Sequence, residues 1–221
     1  MRNFISEADI ERAILDTLKS EKFKYDDIII CDANPNKRDD LNDGTGRASK
    51  KECVLPVLLE KSLKKINPNV EIEYLSKIIK DLRRDYTGTD IVTTNYMMYK
   101  KIRDGIKIDV RRNGKEDFDI VKLVDFEEPK NNIFTAVSQM WIQGNVYYRR
   151  PDILIFVNGL PMVFIELKNS IVKVEEAYNK NLKDYLKDIP NLFAFNQICV
   201  LSNGLETKLG AFNATYEYFF E

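Results

Sequence analysis

Arg150-Pro151-Asp152-Ile153-Leu154-Ile155-Phe156-Val157-Asn158-Gly159-Leu160-Pro161-Met162-Val163-Phe164-Ile165-Glu166-Leu167-Lys168 is the run that decides the fold. It holds two near-continuous apolar segments, Ile153–Val157 and Pro161–Ile165, joined by Asn158-Gly159-Leu160. Segments with no polar face are strands covered on both sides, the centre of a sheet. Asp152 opens the first, Glu166 closes the second, and Lys168 follows two residues later. Charges at the ends of such strands are costly unless they are paired or bound to a cation. Side chains alternate along a strand, so Glu166 and Lys168 share a face. Asp152 and Glu166 are an even number of residues apart. In a regular hairpin they share a face only if the loop has an odd number of residues. A three-residue loop through Asn158 and Gly159 meets that condition, with Gly159 free to take a positive φ. A two-residue Asn158-Gly159 loop would place the carboxylates on opposite faces.

Outward from this centre, helical spacing alternates with short apolar runs. Ser6 is a good N-cap for a helix carrying Ile10, Ala13, Ile14 and Leu18. Ile28–Cys31 is a short β-branched strand. Residues 34–51, NPNKRDDLNDGTGRASKK, have almost no apolar anchor and read as a long, mobile surface loop. Amphipathic helices follow over Val54–Ile66, Tyr74–Arg84 and Asp90–Arg103, the last ending at Gly105. Alternation of Ile106, Ile108 and Val110 with Lys107, Asp109 and Arg111 then marks a strand. Ile120–Phe126 and Ile133–Ile142 read as further strands, with a hairpin turn at Asn113-Gly114. A helix over Val174–Leu186 and a strand over Gln197–Leu201 complete the pattern. The residues alone give α/β or α+β in three layers, one domain. The aromatic end, Tyr216–Glu221, reads as a boundary inside a longer polypeptide.

The composition removes most alternatives for chemistry. The 221 residues include 34 Lys and Arg against 35 Asp and Glu, so nucleic acid would have to be met by a local patch. Arg149 and Arg150, beside Asp152, are the favoured patch residues. There is no histidine, which excludes every His-based triad, dyad or zinc site. Cys31, Cys53 and Cys199 are widely spaced and read as buried reduced thiols of a cytoplasmic protein. No stretch is apolar enough to span a bilayer, so no membrane is expected.

What remains is carboxylates, lysine, tyrosine or a hard metal ion. Two carboxylates with a backbone carbonyl and waters make a Mg²⁺ shell. Such an ion activates water and neutralises a phosphate, and Lys168 is placed to orient the water or stabilise the phosphorus centre. A buried ion pair with no catalysis explains the same short spacing.

Pro151-Asp152 followed by Glu166-Leu167-Lys168 resembles the PD-(D/E)xK nuclease motif. Leu63–Pro68, Asn95–Gly105, Arg150–Lys168, Ile189–Phe193 and Ser202–Gly204, in that order, resemble the N-terminal nuclease domain of the restriction (R) subunit of type I restriction-modification enzymes. The resemblance covers about Ser6 to Phe220. It implies an α/β fold with a central mixed β-sheet flanked by helices, and a single endonuclease domain over 1–221. It further implies catalysis by Asp152, Glu166 and Lys168. Mg²⁺ would be held by Asp152, Glu166 and the Leu167 carbonyl. An acid from the first helix completes some sites of this fold; Glu7 is favoured over Glu11, one turn later. The family's Gln-x-x-x-Tyr motif falls on Asn181 and Tyr185, with Asn181 in the Gln position; both are expected to face DNA. The implied partners are double-stranded DNA, modification and specificity subunits, and ATP-driven motor domains on the same polypeptide. This chain has no GxxxxGK[ST] loop, so ATP would act only through those domains. A nuclease-like domain that only binds DNA or docks, and a stand-alone resolvase or repair nuclease, are the competing readings.

Overall fold

The computed structural model describes residues 4–112 and 114–221, which leaves the expected turn residue Asn113 outside it. In chain order the principal elements are α1 (Glu7–Lys19), β1 (Asp27–Ile30), α2 (Pro56–Ile66), α3 (Ile72–Leu82), α4 (Ile91–Asp104), β2 (Ile106–Arg112) and β3 (Lys115–Val121). They continue with β4 (Phe134–Ser138), β5 (Ile142–Gln143), β6 (Tyr148–Arg149), β7 (Ile153–Val157), β8 (Leu160–Leu167), α5 (Lys183–Asp188), β9 (Ile198–Ser202) and β10 (Thr207–Gly210). The fold is α/β. Its centre is a six-stranded mixed sheet in the order β1-β4-β7-β8-β9-β10. β1–β4 and β8–β9 pair parallel; β4–β7, β7–β8 and β9–β10 pair antiparallel.

The two-residue period of the strands sorts the layers. On one face Ile153, Ile155, Ile165 and Leu167 pack against Ile10 and Leu15 of α1. On the other, Leu154, Phe156, Phe164 and Leu201 meet Val174, Ala177, Leu182 and Tyr185. Beside that layer α2, α3 and α4 enclose a second apolar cluster that includes Leu63, Leu82 and Met98. Phe156 and Phe164 are fully buried, and each such side chain contributes roughly 1.5–3 kcal/mol by leaving water. Helix ends follow local chemistry. Ser6 Oγ accepts from the Asp9 N–H at 3.2 Å, and the Asp90 carboxylate accepts from the Thr93 N–H at 3.0 Å. Gly105, at φ 78°, stops α4.

The central hairpin differs from the three-residue expectation. Val157 pairs with Leu160, so the loop is the two-residue Asn158-Gly159, both at positive φ. Asn158 is buried: its Oδ1 accepts from the Ile133 N–H, and its Nδ2 donates to the Leu123 carbonyl. Gly159 lies so close to α2 that a Cβ would stand 2.6 Å from the Leu55 carbonyl oxygen. The register then shifts between Ile155 and Phe156, and Met162 is the additional residue on β8. Ile153 therefore faces Ile165, which brings Asp152 beside Glu166 on one face after all. A two-residue turn plus one bulge restores the parity that a three-residue turn would have supplied.

Three other expectations are corrected. Residues 120–126 are not one strand: β3 ends at Val121 and an irregular segment leads to β4. The run 133–142 is broken after Ser138, where Gln139 takes φ 58°, and Ile142–Gln143 pairs instead with Tyr148–Arg149 in a separate small sheet. The 34–51 loop is anchored rather than merely solvated. Arg47 and Lys50 are buried and both donate to Asp43 Oδ2, at 2.9 and 2.6 Å. Hydrogen bonds from Lys50 and Thr45, with the Arg47 charge, overcome burial and hold the Asp43 carboxyl down at about 2.

Candidate active site

The start of β7 and the end of β8 meet α1 on one side and the 174–188 helix on the other. Asp152 precedes β7 and is tied at both oxygens. Oδ2 accepts from the Leu167 N–H at 2.7 Å, and Oδ1 accepts from Gln139 Nε2 at 3.4 Å. Glu166 is 2% exposed. Its Oε1 accepts from Lys168 Nζ at 3.2 Å, while its buried Oε2 has no hydrogen-bond partner among the described residues. Lys168 Nζ also donates to the Leu167 carbonyl at 2.8 Å. Burial is the main reason Asp152 titrates high, at about 6, with Glu11 and Glu7 adding repulsion against the pull of the Leu167 N–H and Lys168. Glu166 is pushed well above the carboxylate range, first by burial and then by the Asp152 charge.

These features fit a divalent cation. A buried carboxylate oxygen without a donor, beside a second desolvated carboxylate, is the environment a cation relieves. Among the described residues no group of three or more Cys, Asp or Glu side chains is close enough to hold a metal alone. Asp152 and Glu166 would hold it together with oxygens that are not carboxylate, and the Leu167 carbonyl is adjacent, here capped by the Lys168 ammonium.

Of the two candidate acids on α1, Glu7 and Glu11, Glu11 is the one bonded into this network. Its Oε1 accepts from the Ser138 hydroxyl and its Oε2 from Gln139 Nε2 at 2.8 Å. Glu7 is exposed and acts on Asp152 through its charge, ranking after Glu11. Tyr185 is buried and packs edge-on against Phe164, ring centroids 5.4 Å apart. Its ring face is therefore closed to a base, and what it presents is its hydroxyl, which donates to the Arg150 carbonyl at 3.1 Å. Burial, then the Glu166 and Asp152 charges, push that hydroxyl well above its ordinary pKa. Asn181 lies in a π-helical stretch, Ala177–Leu182, that runs into α5. Such stretches occur mostly as single-turn insertions, often at functional sites. Arg149 is committed to two carboxylates, Asp188 and Asp184. Arg150 lies over the Trp141 ring, and its Nη1 donates to the Ala33 carbonyl.

A family model for the N terminus of the type I restriction enzyme R protein matches residues 4–218. The chain belongs to that family. The R-protein N-terminal chain is 32% identical over 220 residues to the type I restriction enzyme HindI endonuclease subunit of Haemophilus influenzae, covering 97% of this chain and 20% of that subunit. It is 29% identical over 102 residues to the type I restriction enzyme SauCOLORF180P endonuclease subunit of Staphylococcus aureus strain COL, covering 46% of this chain and 11% of that subunit. The chain thus spans about a fifth of the length of the Haemophilus relative. Among its described residues no helix is long and apolar enough to cross a membrane.

Two contributors to the R-protein site gave no sequence signal. Ser138 and Gln139 lie inside the run Ile133–Ile142, which reads as one strand, and nothing in the sequence sets them apart. Helical spacing lets either Glu7 or Glu11 face the site and does not choose between them; the polar partners that single out Glu11 come from the end of β4 and the residue after it, more than a hundred positions later.

Proposed function

We infer that residues 1–221 form a single Mg²⁺-dependent endonuclease domain that hydrolyses phosphodiester bonds of double-stranded DNA, within a longer, cytoplasmic type I restriction R subunit. The observation that carries this reading is the orphaned, buried Oε2 of Glu166 beside Asp152. Family membership supplies the reaction class. Asp152 and Glu166 would hold the ion, with the Leu167 carbonyl as a further ligand once the Lys168 ammonium moves off it. When bound, Mg²⁺ supplies charge neutralisation at the phosphate and a more acidic water.

The chain's own residues do the rest. Lys168 donates to the attacking water or to a non-bridging phosphate oxygen. The Tyr185 hydroxyl fixes the Arg150 carbonyl and so the approach to Asp152. Arg150, stacked on Trp141, is the better placed of the two arginines to meet the DNA backbone, since Arg149 is already neutralised by Asp184 and Asp188. ATP-driven motor domains on the same polypeptide, with separate modification and specificity subunits, would deliver the DNA. The test is calorimetric titration of Mg²⁺ into the metal-free chain and into Glu166→Gln. Binding by the parent and none by the variant supports the reading; equal binding by both overturns it.

A further inference from the structure

Gln139 breaks β4 with φ 58°, the left-handed region that side chains other than glycine, asparagine and aspartate seldom enter. Its sequence neighbourhood does not call for glutamine there. Backbone outliers of this kind cluster at functional sites, which makes the side chain worth following. The Gln139 N–H donates to the Asp152 carbonyl at 2.9 Å, which fixes the turn against the start of β7. The amide then reaches two acids at once. Nε2 donates to Glu11 Oε2 at 2.8 Å and to Asp152 Oδ1 at 3.4 Å. The Ser138 hydroxyl holds the other Glu11 oxygen, and the Leu167 N–H holds the other Asp152 oxygen. One NH₂ group has two protons, so both bonds can be made together.

We propose that Gln139 is a positioning residue for the cation site: its amide sets the separation and orientation of the Glu11 and Asp152 carboxylates. This rests on the reading of Asp152 and Glu166 as the cation site. A neutral donor suits the task. A lysine or arginine in the same place would join the two acids equally well, but its charge would oppose a divalent ion. The amide leaves each carboxylate its full charge and a free lone pair. The strained backbone is what turns the side chain back under the end of the strand instead of out to solvent.

The test uses Mg²⁺ alone, titrated calorimetrically into the parent chain, Gln139→Gly and Gln139→Met, alongside thermal melting in chelator. Glycine adopts φ 58° without strain, so Gln139→Gly separates the backbone from the amide. Methionine fills the same space without a donor. Both variants should bind Mg²⁺ about ten-fold or more weakly, the scale set by removing groups that orient metal ligands. Gln139→Gly should melt in chelator at or above the parent temperature. Parental affinity in either variant overturns the proposal. So does a loss of affinity in Gln139→Gly accompanied by a matching fall in metal-free melting temperature, which would make Gln139 a folding residue. If the parent binds no Mg²⁺, the cation-site reading itself fails, and this proposal with it.

Discussion

Replacing Asp152 by Asn should make the metal-free protein more stable at neutral pH. The amide oxygen can keep the 2.7 Å bond from the Leu167 N–H and only the long 3.4 Å bond from Gln139 Nε2 is given up, so the main change is loss of a buried charge. Burial and neighbouring acids raise the Asp152 carboxyl from 3.8 to about 6. That shift of about 2 units corresponds to about 3 kcal/mol at 1.36 kcal/mol per unit. The sign follows from proton counts. Between pH 4 and 6 the folded state keeps a proton that the unfolded chain has released. Stability of the parent therefore falls as pH rises through that window and levels off above it. The variant lacks this slope. Its advantage should be small near pH 4 and reach about 3 kcal/mol by pH 7.5, roughly 6–12 °C in melting temperature for a chain of this size. Urea denaturation in chelator, at steps from pH 4.5 to 8, measures it. A difference that does not change with pH, or a variant less stable at pH 7.5, would refute the reasoning. Saturating Mg²⁺ should close the gap by stabilising the parent only.

Lys168→Ala should abolish cleavage without weakening Mg²⁺ binding, because the ammonium cannot ligate the ion and its charge and its bond to the Leu167 carbonyl oppose it; calorimetry and plasmid cleavage separate the two effects. Tyr185→Phe keeps the packing on Phe164 and removes only the hydroxyl bond to the Arg150 carbonyl, so it should cost about 1 kcal/mol in denaturation while lowering cleavage. Tyr185→Ala would confuse the two by opening a cavity worth about 3–5 kcal/mol. Arg47→Ala removes one of the two buried cations on Asp43 and should destabilise the fold by about 3–5 kcal/mol, with faster proteolysis within 34–51 as the local readout.

The central hairpin was legible because its residues are apolar at successive positions in two runs, Ile153–Val157 and Pro161–Ile165, too short for buried helices. The same property hid the bulge. With no polar face along Leu160–Leu167, nothing in the sequence marks where Met162 slips the register by one. The parity condition for Asp152 and Glu166 was sound, and the chain met it by another route. The 34–51 loop misled by composition. Arg47 and Lys50 count as solvated residues until Asp43 is seen to pair with both, and such pairing is a property of the folded loop. Gln139 could not be read at all. Its importance comes from a positive φ and from acids on α1 and at the head of β7, which only the fold brings together.

We propose that Glu166, with Asp152, holds the ion needed to cut DNA. The most direct test places Glu166→Gln in the full-length R subunit, assembled with its partner subunits, and measures plasmid cleavage and ATP consumption in one reaction containing Mg²⁺. Cleavage should fall below detection while ATP consumption continues at the parental rate; cleavage at the parental rate would contradict a metal-holding role for Glu166.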